Sequence, residues 1–211
     1  MTATNGVERL TGMCASLASV HASAPPGSAY DHMGATIADA ILQAGLNYRT
    51  VVQPRVRRLM EEFPEAETTT GFLNVIAFHG LKVVLNWRHP EKPRRILEMT
   101  WLLANEGIET ESDLREWLEK PGNDGLLLGL RGVGPKTADY LKMLVGLPSV
   151  AVDRHLRAFV EAAGIECNGY DETRRLLESA ADSLGVDRRS LDKAIWSYMS
   201  SRTEPGEERL F

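Results

Sequence analysis

Apolar residues recur at three- and four-residue steps along almost the whole chain, the period of a helix laid against a core. Over residues 5–20, Val7, Leu10, Met13, Leu17 and Val20 share one face. Ile37, Ala40, Ile41 and Ala44 form a second stripe, in a segment that Asp31 caps and Gly45 ends. Residues 48–63 carry Val52, Val56, Leu59 and Phe63 in register, and Pro64 stops them. Pro54 fits that segment only if regular helix starts close to it, where the first turn has no internal partner for the missing N–H. Residues 72–85 are apolar on every side, which predicts a buried segment broken at Gly80. Ile96, Met99 and Leu103 mark a helix over 90–106, with Gly107 as its stop. A short helix follows Thr110 over 111–118. Others are expected over 124–130, 135–145, 153–163, 171–184 and 187–202. Strand-like alternation is absent, so the pattern predicts an all-α fold of about ten helices. Residues 22–28 read as a loop and the polar tail 203–211 as loosely held, and there is no internal repeat.

Composition changes this picture little. A 211-residue chain that is 43% hydrophobic and 25% charged can bury an ordinary core. Cys14 and Cys167 offer neither a C-x-x-C pair nor a disulfide framework, which suits a reducing compartment. The histidines His21, His32, His79, His89 and His155 show no metal-ligand spacing. No long apolar run and no secretory leader are apparent, so the expected location is the cytoplasm, beside the nucleoid in a bacterium, with no membrane partner.

The net charge of −5 argues mildly against nucleic-acid binding, but its distribution argues for it. Arg131, Lys136, Lys142, Arg154 and Arg157 lie in one stretch with only Asp139 and Asp153 against them. Arg55, Arg57 and Arg58 form a second basic cluster, and Arg88, Lys92, Arg94 and Arg95 a third. Either one basic face or ordinary solvated helix surfaces would produce this pattern.

The chemistry concentrates in Leu130-Arg131-Gly132-Val133-Gly134-Pro135-Lys136-Thr137-Ala138 and in Val150-Ala151-Val152-Asp153-Arg154-His155. Gly132 and Gly134 permit a turn that needs positive φ, and Val133 would pack between the two helices. Converging backbone N–H groups and a helix N-terminus then suit a phosphate. On a helical wheel Ala138, Leu141, Leu144 and Val145 form the core face, with Lys136 opposite. In the first turn Lys136 meets the positive end of the helix, a field that favours the free amine needed for nucleophilic attack. It could equally be a phosphate contact. Asp153 ends a buried extended approach and is an N-cap by position, a role compatible with catalysis.

These two motifs resemble the helix-hairpin-helix DNA glycosylases of the endonuclease III type, clearly over 126–159 and weakly beyond. The resemblance implies two helical subdomains flanking a DNA-binding cleft into which the target base is flipped. By position these would be residues 31–130, a helical barrel, and residues 1–30 plus 131–211. It implies Lys136 as nucleophile and Asp153 as the assisting carboxylate, with Gly132, Val133 and Gly134 on a DNA phosphate. Arg131, Lys142 and Arg154 would support DNA contact, and Asn47 would enter the duplex gap unless it is simply a helix cap. Tyr48, Trp87, Tyr140 and Trp196 are candidates to stack on the flipped base, although such aromatics also serve as core. With two cysteines the chain lacks the four-cysteine iron–sulfur loop, so no cofactor is expected beyond a monovalent cation that the hairpin could take.

The implied activity is a DNA glycosylase with AP lyase activity, on double-stranded DNA carrying a damaged or mispaired base, by a monomer. Lys136 would displace the base and form a Schiff base. A monofunctional glycosylase with Asp153-activated water and a non-catalytic hairpin DNA binder are the alternatives. The lesion is not legible.

Overall fold

The computed structural model describes residues 3–17 and 27–202, with side chains from residue 6 onward. Val20, the tail 203–211 and most of the loop 22–28 lie outside the described residues. Among the described residues every regular element is helical. The fold is all-α. The chain divides into two compact units, one of residues 27–147 and one joining 1–26 to 148–211. Residues 131–147 therefore fall in the central unit, not with the terminal segments as the resemblance implied, because their helix packs on the central one.

The central unit is built around helix α2 (Met33–Leu42), every residue of which is buried. Around it pack α3 (Gln53–Glu62), α4 (Thr69–His79), α6 (Glu91–Asn105) and α9 (Pro135–Leu144); α5 (Leu81–Val84), α7 (Glu111–Glu119) and α8 (Asn123–Leu128) complete the unit. Close approach explains Gly34: a Cβ there would press on Leu59, Phe72 and Ala66. Phe72, Leu59, Ile96 and Met99 are fully buried, each contributing about 2 kcal/mol of apolar transfer.

Several local expectations hold. Regular α3 begins at Gln53, with Pro54 in its first turn, after a π-helical turn over Tyr48–Val52. Helix α7 follows Thr110 as expected, and its start is closed by a reciprocal capping box between Thr110 and Asp113 that the pattern did not single out. Two expectations need correction. The cap of α2 is His32, whose Nδ1 accepts from Ala35 N–H, while Asp31 sits at φ 55° and does not cap. The apolar run 72–85 does break at Gly80, but Phe78 is 82% exposed and Val83 is also exposed, so only one side is buried.

In the terminal unit α1 (Ala3–Ala15) packs on α11 (Tyr170–Leu184) through Leu10, Cys14, Leu177 and Ala181. Helix α10 (Arg154–Ala162) packs on α12 (Arg188–Arg202) through Leu156, Phe159, Leu191 and Ile195.

Candidate active site

The hairpin forms between α8 and α9. Val133 N–H donates to Leu130 O at 3.1 Å, closing the turn, and Val133 is buried. Only Gly132 takes positive φ, at 79°; Gly134 is extended and precedes Pro135 at the helix start. A Cβ at Gly132 would collide with the Arg95 guanidinium from α6, so glycine is needed there for both reasons. Arg131 is exposed beside the turn.

Helix α9 places Lys136 and Tyr140 one turn apart, and α2 places Asp39 and Gln43 one turn apart. The two pairs meet as rungs. Lys136 Nζ donates to Gln43 Oε1 at 2.9 Å, and Tyr140 OH donates to Asp39 Oδ2 at 3.3 Å. Tyr30 OH donates to the same Oδ2 at 2.6 Å and Tyr48 OH at 3.5 Å, while the Tyr30 and Tyr48 hydroxyls lie 3.1 Å apart. Lys136 is therefore half-buried on the side of a carboxylate ringed by three tyrosines, all within the central unit.

Asp39 is fully buried, and among the described residues its Oδ1 has no hydrogen-bond partner. Burial raises its carboxyl to about 6, although the tyrosine hydroxyls pull the other way. Burial, then the Asp39 charge, pushes the Tyr30 and Tyr48 hydroxyls up.

At the end of α2, Lys92 Nζ donates to Ile41 O at 2.6 Å and Ala44 O at 2.7 Å, satisfying carbonyls the helix leaves open. Burial, then the charges of Arg95 and Lys136, lowers its ammonium to about 8.

The other expected residues find varied surroundings. Tyr48 and Tyr140 meet at Asp39. Trp87 instead lies under the Arg55 guanidinium at 5.0 Å and lines an open surface depression with Asn86, Arg88 and His89. Asn47 caps the turn that follows it, its Oδ1 accepting from Thr50 N–H at 3.0 Å. Lys142 is held by Asp124 at 3.0 Å and Asp139 at 3.5 Å, bridging α8 to α9. Arg55 and Arg58 donate to carbonyls of Val51, Asn86 and Val83, so that basic cluster pins backbone.

In the terminal unit Asp153 caps α10: its Oδ1 accepts from His155 N–H at 2.8 Å and Leu156 N–H at 3.0 Å. The approach Val150–Val152 is buried, and Ala151 N–H donates to Asp192 Oδ2 at 2.8 Å. Arg154 is exposed next to the cap, and Trp196 meets His155 edge to face.

Sequence reasoning missed Asp39, Tyr30 and Gln43. A signal existed for the first. Asp39 interrupts a run of small and apolar residues that form a helix buried all round, and a carboxylate in such a helix must be buried too.

Among the described residues no group of three histidine, cysteine or acidic side chains could hold a metal ion.

The fold is that of a helical DNA glycosylase. Over 94% of this chain and 99% of the other, it superposes on the crystal structure of H. pylori 3-methyladenine DNA glycosylase (MagIII) bound to 1,N6-ethenoadenine, with a TM-score of 0.64 and 14% sequence identity. No curated protein matches the sequence. Over residues 8–200 the chain matches, and so belongs to, the family described as a domain of unknown function (DUF8548).

Proposed function

We propose that this protein is a helix-hairpin-helix DNA glycosylase of base excision repair, using Lys136 as nucleophile and so carrying AP lyase activity. The observation that carries the reading is the pair of rungs between α2 and α9, which sets the Lys136 amine one helical turn from a buried carboxylate and three tyrosines. A glycosylase needs such a place, where an extruded base can be held by polar groups and aromatic rings beside the reacting carbon. The hairpin supplies a turn and a helix start suited to a backbone phosphate. Likeness to a 3-methyladenine DNA glycosylase supports the same class, and makes alkylated or etheno-modified purines the first lesions to try.

In this mechanism the hairpin of Gly132, Val133 and Gly134 holds the strand, with Arg131 and Arg154 adding charge. Lys136 attacks the anomeric carbon, and the bonding pair leaves with the base. Asp153 stabilises the positive sugar and accepts the amine proton. The resulting Schiff base permits elimination of the 3′ phosphate and a nick. The expected partner is lesion-bearing duplex DNA, bound by a monomer.

Duplexes carrying single lesions, 3-methyladenine and 1,N6-ethenoadenine first, test this. Base release with strand scission in the absence of heat or alkali is the expected result. Release without scission would remove the lyase step and leave Asp153-activated water as the route. Salt-sensitive DNA binding without base release from any lesion would overturn the enzyme assignment.

A further inference from the structure

We propose that Tyr140 hands a proton to the base as it leaves, and that Asp39 supplies this proton through the tyrosine hydroxyl. The proposal rests on the glycosylase reading and names what that site would take: a damaged base that is neutral in DNA and must be protonated to depart.

Asp39 is fully buried, and its partners are tyrosine hydroxyls instead of a cation. A carboxylate in that setting is costly, and a proton is the simplest relief. Oδ2 faces the Tyr140 hydroxyl, and a proton there turns that contact round, so that the tyrosine oxygen accepts from the carboxyl and can pass its own proton on. All three hydroxyls reach Oδ2, and hydroxyls both accept and donate, so they can relay a proton outward. Tyr140 is the hydroxyl on the helix of Lys136, one turn along. A base displaced by Lys136 therefore leaves within reach of that turn.

The groups facing α2 agree with a proton store. Leu59, Phe72 and Ala66 meet it from α3, α4 and the turn between them, and are apolar. Lys92 from α6 spends its ammonium on the carbonyls at the helix end. Lys136 from α9 is bonded to Gln43 one turn away. Glu111 accepts from Thr36, on the side of Asp39 away from Gln43, and His32 lies at the helix start. The carboxyl, raised by burial to about 6, is thus poised to exchange its proton near neutral pH.

The Lys136 lone pair forms the new bond to carbon, and the glycosidic pair goes to the base. The base takes the Tyr140 proton, Tyr140 takes that of Asp39, and Asp39 is left as a carboxylate until solvent returns a proton. A cationic base such as N7-methylguanine needs no such donor, because breaking the bond already neutralises it. Tyr140 is then catalytic, and Asp39 is a positioning residue acting through it.

The test is single-turnover release of 1,N6-ethenoadenine, neutral in DNA, against N7-methylguanine, at pH values from about 5.5 to 8. In the wild type the ratio of ethenoadenine to methylguanine release falls as pH rises above about 6. Tyr140→Phe and Asp39→Asn each lower that ratio at low pH by roughly 100-fold, within the range of a lost general acid, and Asp39→Asn removes its pH dependence. An unchanged ratio in both variants overturns the proposal, whatever their total activity. Carboxyl NMR of the wild type gives a second readout that needs no variant and no substrate. Proton uptake by Asp39 near pH 6 supports the proposal, and a carboxyl still ionised at pH 4.5 overturns it. Wild-type protein that releases neither base, with the NMR result as expected, would instead refute the glycosylase reading.

Discussion

Two carboxylates carry the chemistry proposed here, and they are held in opposite ways. Asp153 stands at the start of α10, half-exposed, bonded to two backbone N–H groups two and three residues on. Asp39 lies in the middle of α2, fully buried, bonded to hydroxyls from three separate stretches of chain. The first is a local arrangement, and the second exists only once the central unit has packed. Local geometry tolerates exchange of one capping residue for another. A packed polar cluster does not, because each member leaves others unsatisfied.

Catalytic activity should respond most strongly to the charge of Asp153. Asp153→Asn keeps the cap and removes the charge. It should lower base release by roughly 10²–10⁴-fold with stability nearly unchanged, since asparagine caps as well as aspartate. Rates measured beside a thermal melt check both halves, and a large loss of stability would show that Asp153 is more than a cap.

Next in size is the pH dependence of Asp39. Its carboxyl is raised in the fold from 3.8 to about 6. The stability gained from that uptake is complete below about pH 4 and is lost as pH rises through 6. Relative to Asp39→Asn, the wild type should lose about 2 kcal/mol between pH 4 and 6.5. Denaturant midpoints of both proteins across that range measure it, and parallel curves would contradict the buried assignment.

Smaller again is Gly132→Ala. The positive φ and the Arg95 guanidinium both oppose a Cβ, but the long side chain can move aside, so a loss of about 1–2 kcal/mol is expected. DNA affinity should fall with it, and unchanged affinity would separate the hairpin from phosphate binding. Smallest is Asp153→Ala, where loss of the cap should cost about 1 kcal/mol.

The same contrast explains what could be read from the chain beforehand. Pro54 at the start of α3, the short helix behind Thr110 and the Asp153 cap are fixed by neighbours a few residues away, and all three were legible. Asp31 was misread because the adjacent His32 can also accept a capping bond, through Nδ1, and Asp31 itself takes a left-handed backbone. The run 72–85 looked buried because apolarity on all sides does not say which side meets the core; Phe78 faces out. Arg55 and Arg58 looked available to DNA, but carbonyls distant in sequence engage them. Tyr48 and Tyr140 could be named as candidates but not joined, since they meet at Asp39, which lies on a different helix from either.

Everything proposed for the site depends on the Lys136 amine being the group that attacks the sugar. Borohydride reduction during turnover on ethenoadenine or methyladenine DNA should trap the protein covalently on the strand, and Lys136→Ala should abolish the adduct. Base release by the wild type with no trapped adduct, or an adduct that survives Lys136→Ala, would contradict it.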